Sequence, residues 1–216
     1  MTPLALNIIH TEATFILVDK PSGLLSVPGR GPEMQDCVVT RLQQAFPDMP
    51  EQPAVHRLDM DTSGLMVVAR TRTAHRELNR QFEQRLVDKE YLALLDGQLP
   101  AEVGDTGEIR LRFRLDPYNR PHQVHDDIQG KLGITRWQRI KTDKTHTRIC
   151  FQPLTGRTHQ LRLHAAHPLG LGLAIVGDRL YGRGTGPGQL LLHASRLAFA
   201  HPENGRPLIF TSTPLF

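Results

Sequence analysis

The sequence predicts an α+β fold with a mixed, mainly antiparallel β-sheet core and flanking helices and loops. Apolar segments of strand length outnumber helical patterns, the two do not alternate regularly, and no linker or repeat divides the 216 residues. Regular alternation would instead indicate a parallel sheet. The length suits one sizeable core or at most two small lobes. We therefore expect a single domain over residues 12–216, preceded by an N-terminal extension of residues 1–11.

The first half of the chain predicts two strands and two helices. Phe15 to Val18 is a short apolar run that ends at a Pro-Ser-Gly turn signal, and Leu65 to Ala69 is a second such run. A short helical pattern lies within residues 28–53. The strongest helix is predicted over Thr73 to Leu86, because apolar residues recur there every four positions.

The second half predicts more strands than helices. Tyr91 to Leu95 is a strand candidate, and residues 100–130, rich in Gly, Pro, Asp, Asn and His, predict loops and short hairpins. We expect two strands to pair around a polar turn, at Thr135 to Ile140 and Thr147 to Phe151. One helix is expected after them, at Thr158 to Ala166. The closing strands are predicted at Leu190 to His193, Leu197 to Ala200 and Leu208 to Thr211.

Composition and charge narrow the class of protein. No apolar run approaches the roughly 18 to 20 residues that span a bilayer, and the N-terminus lacks the pattern of a secretory signal. Two cysteines, Cys37 and Cys150, do not suggest a disulfide framework, so a cytoplasmic location is expected. Lys and Arg number 26 against 22 for Asp and Glu, a net charge of +4, which supports nucleic-acid binding only weakly.

Several common sites are excluded by their missing motifs. The chain has no phosphate-binding P-loop, and the glycine-rich residues 182–188 are interpreted as a surface loop. The paired cysteines of zinc deaminases are absent. His159, His164 and His167 are spaced by five and three, without a carboxylate or thiolate pattern beside them. We therefore expect neither a metal nor a cofactor.

The most informative segment is residues 56–65, which read HRLDMDTSGL. One interpretation is a polar turn before a strand, since Asp, Thr, Ser and Gly all form turns. The other is chemical, because two Asp residues here lie beside His and Arg. A carboxylate next to fixed cations stays ionised at neutral pH. Such a group can act as a nucleophile or a general base.

A second cluster occupies residues 154–164, which read LTGRTHQLRLH. It is either a basic helix face in solvent or a set of donors aimed at phosphates or at a catalytic carboxylate. Arginine suits both targets because its planar guanidinium binds two oxygens at once.

Together these motifs resemble the RluA family of pseudouridine synthases, and in particular its short type without an S4 RNA-binding domain. The resemblance rests on an ordered set of segments, which read DKPSGLLSVPG (19–29), HRLDMDTSGL (56–65), KEYLAL (89–94), LTGRTHQLRLH (154–164), GDRLYG (177–182) and LLLHASRL (190–197). It implies the pseudouridine synthase catalytic fold with a central RNA-binding cleft. The implied reaction is site-specific isomerisation of uridine to pseudouridine, without cofactor, in 23S ribosomal RNA and/or a tRNA anticodon stem-loop. A monomer that binds neither DNA nor membrane is expected.

The resemblance also implies three catalytic residues. Asp59 matches the catalytic aspartate, and Arg162 matches the arginine that pairs with it and orients it. Tyr91 matches a tyrosine whose ring stacks on the target uracil and whose hydroxyl helps to move the proton released from C5. A core tyrosine in a strand is the alternative for Tyr91.

Seven further positions are implied in substrate binding. Arg57 matches the arginine that enters the space left by the flipped uridine, Arg157 is expected to meet phosphate, and Leu192 is expected to pack against the base. His56 is expected beside Arg57 as support. The full implied set is His56, Arg57, Thr62, Arg157, His159, Gln160 and Leu192.

Two functions of other classes remain open at this point. One is a non-catalytic RNA-binding or RNA-chaperone protein on the same scaffold, which the intact catalytic positions argue against. The other is a hydrolase that uses Asp59 and Asp61 as an acid/base pair, since residues two apart on a strand share a face.

Overall fold

The computed structural model describes residues 6–216, which divide into two compact units. Unit 1 combines the described part of Met1–Lys89 with His193–Leu215, and unit 2 comprises Glu90–Leu192 and Phe216. The expected single domain over residues 12–216 stays a prediction.

The described residues form ten strands and three α-helices. In chain order these are β1 (Asn7–Thr11), β2 (Phe15–Lys20), α1 (Val38–Ala45), β3 (Ser63–Ala69), α2 (Arg72–Glu83), β4 (Asp88–Leu95), β5 (Thr106–Leu115), β6 (Gln123–His125), β7 (Lys131–Thr142), β8 (Thr147–Pro153), α3 (Gln160–Ala166), β9 (Leu192–Ala200) and β10 (Pro207–Thr211). Short 3-10 turns lie at Pro32–Met34 and Ala101–Val103.

Unit 1 is built on strands from both ends of the chain. β1, β2 and β3 pair antiparallel in that order, and β10 pairs antiparallel with β9. β3 and β9 are joined by a short parallel pairing, Ser63 with His193 and Gly64 with Ala194. A Cβ added to Gly64 would lie 2.4 Å from the Ala194 carbonyl oxygen, so glycine is what lets these strands approach. Apolar side chains of β2, β3, α2 and β9 form the core of this unit.

Unit 2 is an antiparallel sheet in the order β4-β8-β7-β5-β6. Its core includes inward-facing side chains of β4, β5, β7 and β8, together with Leu161 and Leu163 of α3. Because α3 packs on the sheet through these leucines, the polar residues at the start of the helix have fixed positions.

Most predicted elements are present, and the α+β class with mainly antiparallel pairing is confirmed. The strand pair around the turn at residues 143–146 forms as predicted, since Thr142 lies opposite Thr147. Part of the expected N-terminal extension is itself structured, because Asn7–Thr11 is strand β1, paired with β2. Residues 1–5 of that extension lie outside the described residues.

The prediction of loops and short hairpins over residues 100–130 is wrong for its central part. Thr106–Leu115 is a ten-residue strand in which Ile109, Leu111 and Phe113 are buried and the arginines between them face outward. This is the period-two alternation of a half-buried strand. The prediction followed the composition of the surrounding Gly, Pro and Asp residues and overlooked this alternation.

Among the other differences from the prediction are the bounds of α2, β9 and α3. Helix α2 ends at Glu83, because Arg85 takes a left-handed conformation (φ 59) and the N–H of Leu86 bonds back to the carbonyl of Gln81. Leu86, expected on the apolar face, is therefore exposed. The two strands expected over residues 190–200 are one strand, β9. Helix α3 begins at Gln160, two residues later than predicted, because His159 is also left-handed.

Among residues 6–216, no helix has both the length and the apolar character needed to cross a membrane. Within the same range, the His, Cys, Asp and Glu side chains form no group of three or more that could hold a metal ion.

Candidate active site

Asp59 lies in a short segment that leads into β3. Its backbone carbonyl accepts a hydrogen bond from the N–H of Thr62 at 3.1 Å, which closes a turn. Leu58, Asp61 and Thr62 are buried, whereas Asp59 is only partly buried. The buried neighbours therefore anchor the turn on both sides of the Asp59 carboxylate.

Residues 20–26 hold this turn through its backbone. The Ser26 hydroxyl donates to the carbonyl of Leu58 at 2.7 Å and accepts from the N–H of the same residue at 3.0 Å. On the other side of Asp59, the Ser22 hydroxyl donates to the carbonyl of Asp61. We call residues 20–26 the clamp. It fixes the backbone beside Asp59 without bonding to the Asp59 side chain.

Lys20 is the charged member of the clamp. Its ammonium group is fully buried and donates to three carbonyls, those of Pro21 at 3.0 Å, Leu24 at 2.6 Å and Met60 at 2.8 Å. Burial lowers the pKa of Lys20 to about 7, although the negative charges of Asp59 and Asp61 act to raise it.

Lys20 was not among the site residues expected from the sequence. Its position at the end of a buried strand, directly before a Pro-Ser-Gly turn, was the available signal. That signal does not reveal that the side chain points inward, because the three carbonyls that receive it come from two separate segments.

His56 and Arg57 are neighbours with opposite environments. The His56 ring stacks on Phe82 with centroids 4.5 Å apart, and its Nε2 accepts from the N–H of Val67 at 3.1 Å. Burial, with a smaller effect of Lys89, lowers the pKa of His56 to about 3, so the ring is neutral. Arg57 is exposed and makes no hydrogen bond or ion pair with any other of residues 6–216. These contacts give His56 a structural role and leave Arg57 available to a ligand.

In unit 2, Arg162 pairs with a carboxylate that the sequence analysis did not identify. Its Nε and Nη2 bond the two carboxylate oxygens of Asp178 at 2.8 and 2.6 Å, and both side chains are buried. Burial would raise the pKa of Asp178, but the hydrogen bond and charge of Arg162 and the N–H groups of Leu180 and Tyr181 lower it overall. Asp178 belongs to the GDRLYG segment, which is where a signal for it lay.

His159 and Gln160 shape the start of α3. His159 Nδ1 lies 2.9 Å from the Tyr181 hydroxyl, which also accepts from the N–H of Gln123. All four hydrogen-bonding positions of the Gln160 amide are used inside the protein. The oxygen accepts from Thr155 Oγ1 and Arg157 N, and the nitrogen donates to Ile134 O and Thr135 Oγ1. Direct substrate contact by Gln160 would require one of these bonds to break.

The remaining predicted residues divide between core and surface. Leu192 is 2 % exposed and belongs to the core of unit 2, and Tyr91 packs, partly buried, against the same core. Arg157 is exposed, with its Nε 3.5 Å from the Leu132 carbonyl. His56, Arg57, Asp59 and Thr62 thus share one segment of unit 1, whereas Arg157, His159, Gln160 and Arg162 share one segment of unit 2.

The model of the RNA pseudouridylate synthase family matches residues 14–167, more than half of the chain. The chain belongs to this family, and it isomerises uridine to pseudouridine in RNA. The resemblance, the enzymatic activity and the reaction class predicted from sequence are confirmed.

Curated relatives match over nearly their full length. A protein of Yersinia pestis is 44 % identical over 207 residues, covering 94 % of this chain and 96 % of the relative. A protein of Escherichia coli K12 is 43 % identical over 211 residues, covering 95 % and 91 %. Both carry the name dual-specificity RNA pseudouridine synthase RluA.

Solved structures agree with the fold. Human RNA pseudouridylate synthase domain containing 1 superposes with a TM-score of 0.78 at 27 % identity, covering 100 % of this chain and 87 % of its own. Human RNA pseudouridylate synthase domain containing 4 superposes with a TM-score of 0.72 at 22 % identity. At this identity the match supports the fold alone.

Proposed function

We propose that this enzyme modifies uridines in both 23S ribosomal RNA and a tRNA anticodon stem-loop, with Asp59 as its catalytic carboxylate. The relatives named as dual-specificity enzymes support the two RNA classes. The observation that carries the assignment of Asp59 is the clamp, which fixes the backbone on both sides of this one partly exposed carboxylate. A catalytic group held in this way is already oriented for the reaction when the substrate binds.

The reaction leaves the composition of the RNA unchanged. The C1′–N1 bond breaks, the uracil turns, a C1′–C5 bond forms, the C5 proton departs and N1 gains a proton. Three routes are chemically open to the Asp59 carboxylate, namely attack on C1′, addition to C6 of the ring, and removal of the 2′ proton to give a glycal. No redox change occurs along any of them.

The family resemblance assigns Tyr91 and Arg162 to the same reaction. Tyr91 would stack on the uracil and move the C5 proton, and its partly buried ring is compatible with both tasks. Arg162 would orient Asp59. Its Nε and Nη2 are held by Asp178, so the plane of the guanidinium is fixed before substrate binds.

Substrate binding would use exposed and buried residues differently. Arg57 would enter the space that the flipped uridine leaves, Arg157 would meet phosphate, and Leu192 would pack against the base. His56 and Gln160 make internal hydrogen bonds, and we assign them to positioning. We assign Thr62 and His159 to the same task, because Thr62 closes the Asp59 turn and His159 precedes α3.

The proposed location of the enzyme is the cytoplasm. Its cysteines, Cys37 and Cys150, are free thiols, which suits the cytoplasm, where the RNA substrates are found. We propose that it acts there as a monomer, which sedimentation of the purified protein would test.

Pseudouridine mapping across the transcriptome tests the proposed targets. A strain lacking the gene should lose one site in 23S ribosomal RNA and at least one in an anticodon stem-loop. The wild-type gene should restore both, and a gene carrying Asp59→Asn should restore neither. Loss in a single RNA class would contradict dual specificity, and restoration by Asp59→Asn would contradict the catalytic assignment.

A further inference from the structure

A line of four hydrogen-bonded side chains begins at the first residue of β3. The Ser63 hydroxyl lies 2.9 Å from Nδ1 of His193, and Nε2 of His193 lies 3.0 Å from the hydroxyl of Ser212. Ser212 in turn donates a short hydrogen bond to a carboxylate oxygen of Asp19. The four residues come from β3, β9, the segment after β10, and β2, all within unit 1.

The direction of these bonds follows from counting protons. A serine hydroxyl has one hydrogen, and that of Ser212 is used on Asp19, so Ser212 must accept from Nε2–H of His193. His193 is 5 % exposed, and burial lowers its pKa despite the opposing effects of Asp19 and Ser212, which keeps the ring neutral. In the neutral ring Nδ1 then has no proton, and it accepts from the hydroxyl of Ser63.

This line of side chains begins beside the turn that bears Asp59. Ser63 follows Asp59 by four positions, after the turn that the Thr62 N–H closes. The parallel pairing of β3 with β9 consists of Ser63 with His193 and Gly64 with Ala194. So short a pairing holds its register weakly by backbone bonds alone, and the Ser63–His193 bond reinforces it.

We propose that His193 is a positioning residue for pseudouridine formation, acting through Ser63 on the turn that bears Asp59. The clamp holds residues 58, 60 and 61 of this turn through their backbone groups, and His193 adds a bond on the side of β3. Asp19 and Ser212 fix the tautomer in which Nδ1 can receive Ser63. The proposal rests on the assignment of Asp59 as the catalytic residue.

Two substitutions separate the two bonds of His193. In His193→Asn the amide oxygen stands near the position of Nδ1 and can still accept from Ser63. In His193→Gln the amide nitrogen stands near Nε2 and can bond only Ser212. We expect the single-turnover rate to stay within a few-fold of wild type for Asn and to fall by about tenfold or more for Gln, because small misplacements of reacting groups have effects of this size.

The assay uses total RNA from cells lacking the gene, which contains the target whatever its identity. Pseudouridine formation is followed at saturating enzyme for the rate and at varied enzyme for binding, and thermal unfolding is measured alongside. His201→Gln is the matched control. His201 is a buried histidine just after β9 that pairs with Glu12, so this variant should change stability and leave the rate unchanged.

Equal rates for His193→Asn and His193→Gln, or rate losses that merely follow the loss of stability, would overturn the proposal. If His193→Gln does not fold, Ser63→Ala decides, with an expected loss of about tenfold at unchanged RNA binding. Asp59→Asn measured in the same assay separates the two assignments. An active Asp59→Asn refutes the proposed function, whereas an inactive Asp59→Asn with a fully active Ser63→Ala refutes only the role of His193.

Discussion

Around Asp59, side chains of residues 20–26 bond to backbone groups, whereas the buried pair that Arg162 of helix α3 makes with Asp178 joins two charged side chains. The Ser26 hydroxyl bonds to the N–H and the carbonyl of Leu58, whereas the guanidinium of Arg162 bonds to the carboxylate of Asp178. In the first region, loss of a hydrogen bond displaces the backbone of the turn that bears Asp59. In the second it leaves a buried charge without its partner. Substitutions in the two regions should therefore differ in their cost in stability, which should be the larger in the second.

The largest effect on stability is expected from Asp178→Asn. This change leaves the buried guanidinium of Arg162 without the carboxylate charge that it pairs with, and breaking a buried pair in this way costs about 3 to 5 kcal/mol. Urea unfolding measures the loss. Asp36→Asn breaks the exposed pair with Arg41 and should cost less than about 1 kcal/mol. Similar losses for the two variants would contradict a stabilising role of the buried Arg162–Asp178 pair.

Ser26→Ala should affect rate more than its cost in stability suggests. We expect about 1 to 2 kcal/mol of destabilisation from two lost hydrogen bonds and roughly a tenfold lower rate from a displaced turn. Thr147→Val is the matched control, because the Thr147 hydroxyl also accepts from one N–H (Leu99) and donates to one carbonyl (Gly97). It should show the stability loss with an unchanged rate. A normal rate for Ser26→Ala would show that the clamp does not position Asp59.

Acid should destabilise both units through one histidine each. Burial lowers the pKa of His56 to about 3 and that of His164 to about 4, with smaller contributions from Lys89 and His167. Because the unfolded histidines protonate near pH 6.5, the unfolded state binds more protons below that pH. Stability should therefore fall as the pH drops from 6.5 towards 4.

The fully buried His164 should contribute a slope of about 1.4 kcal/mol per pH unit in this window. His164→Leu should flatten the pH dependence of unfolding by that amount. An unchanged slope in urea titrations between pH 6.5 and 4.5 would contradict the neutral, buried state of this ring.

The smallest effect is expected from Arg157→Gln, which removes one exposed charge. RNA binding should weaken a few-fold, and the slope of log affinity against log salt should fall by roughly 0.7 to 0.9. Arg80→Gln is the control, since Arg80 is bonded to Glu77 and should leave the salt slope unchanged. Equal salt slopes for wild type and Arg157→Gln would exclude a phosphate contact by Arg157.

The sequence predicts those parts of the fold that local patterns encode. The buried strand at Phe15 to Val18 and the strand pair around residues 143–146 follow from apolar runs and turn residues. Over Thr106–Leu115 the alternation was present but was outweighed by the composition of its surroundings. The end of α2 could not be predicted from periodicity, because Arg85 reverses the chain in a conformation that non-glycine residues seldom adopt.

The sequence motifs name candidate site residues but not the contacts that hold them. Asp59 and Arg162 follow from motifs, but the bonds of Lys20 to Met60 and of Arg162 to Asp178 join residues far apart in sequence. Local patterns carry no information about such tertiary contacts. The same applies to Gln160, which was expected to bind substrate and uses all of its hydrogen-bonding positions inside the protein.

We propose that Asp59 performs the chemistry while its neighbour Asp61 belongs to the framework, since Asp61 is buried and its carbonyl accepts a hydrogen bond from Ser22. The most direct measurement is the single-turnover rate of pseudouridine formation by Asp59→Asn and Asp61→Asn, each corrected for the folded fraction. We predict no detectable product from Asp59→Asn with RNA binding retained, and measurable product from Asp61→Asn. Pseudouridine formation by Asp59→Asn at a rate near that of wild type would contradict the account.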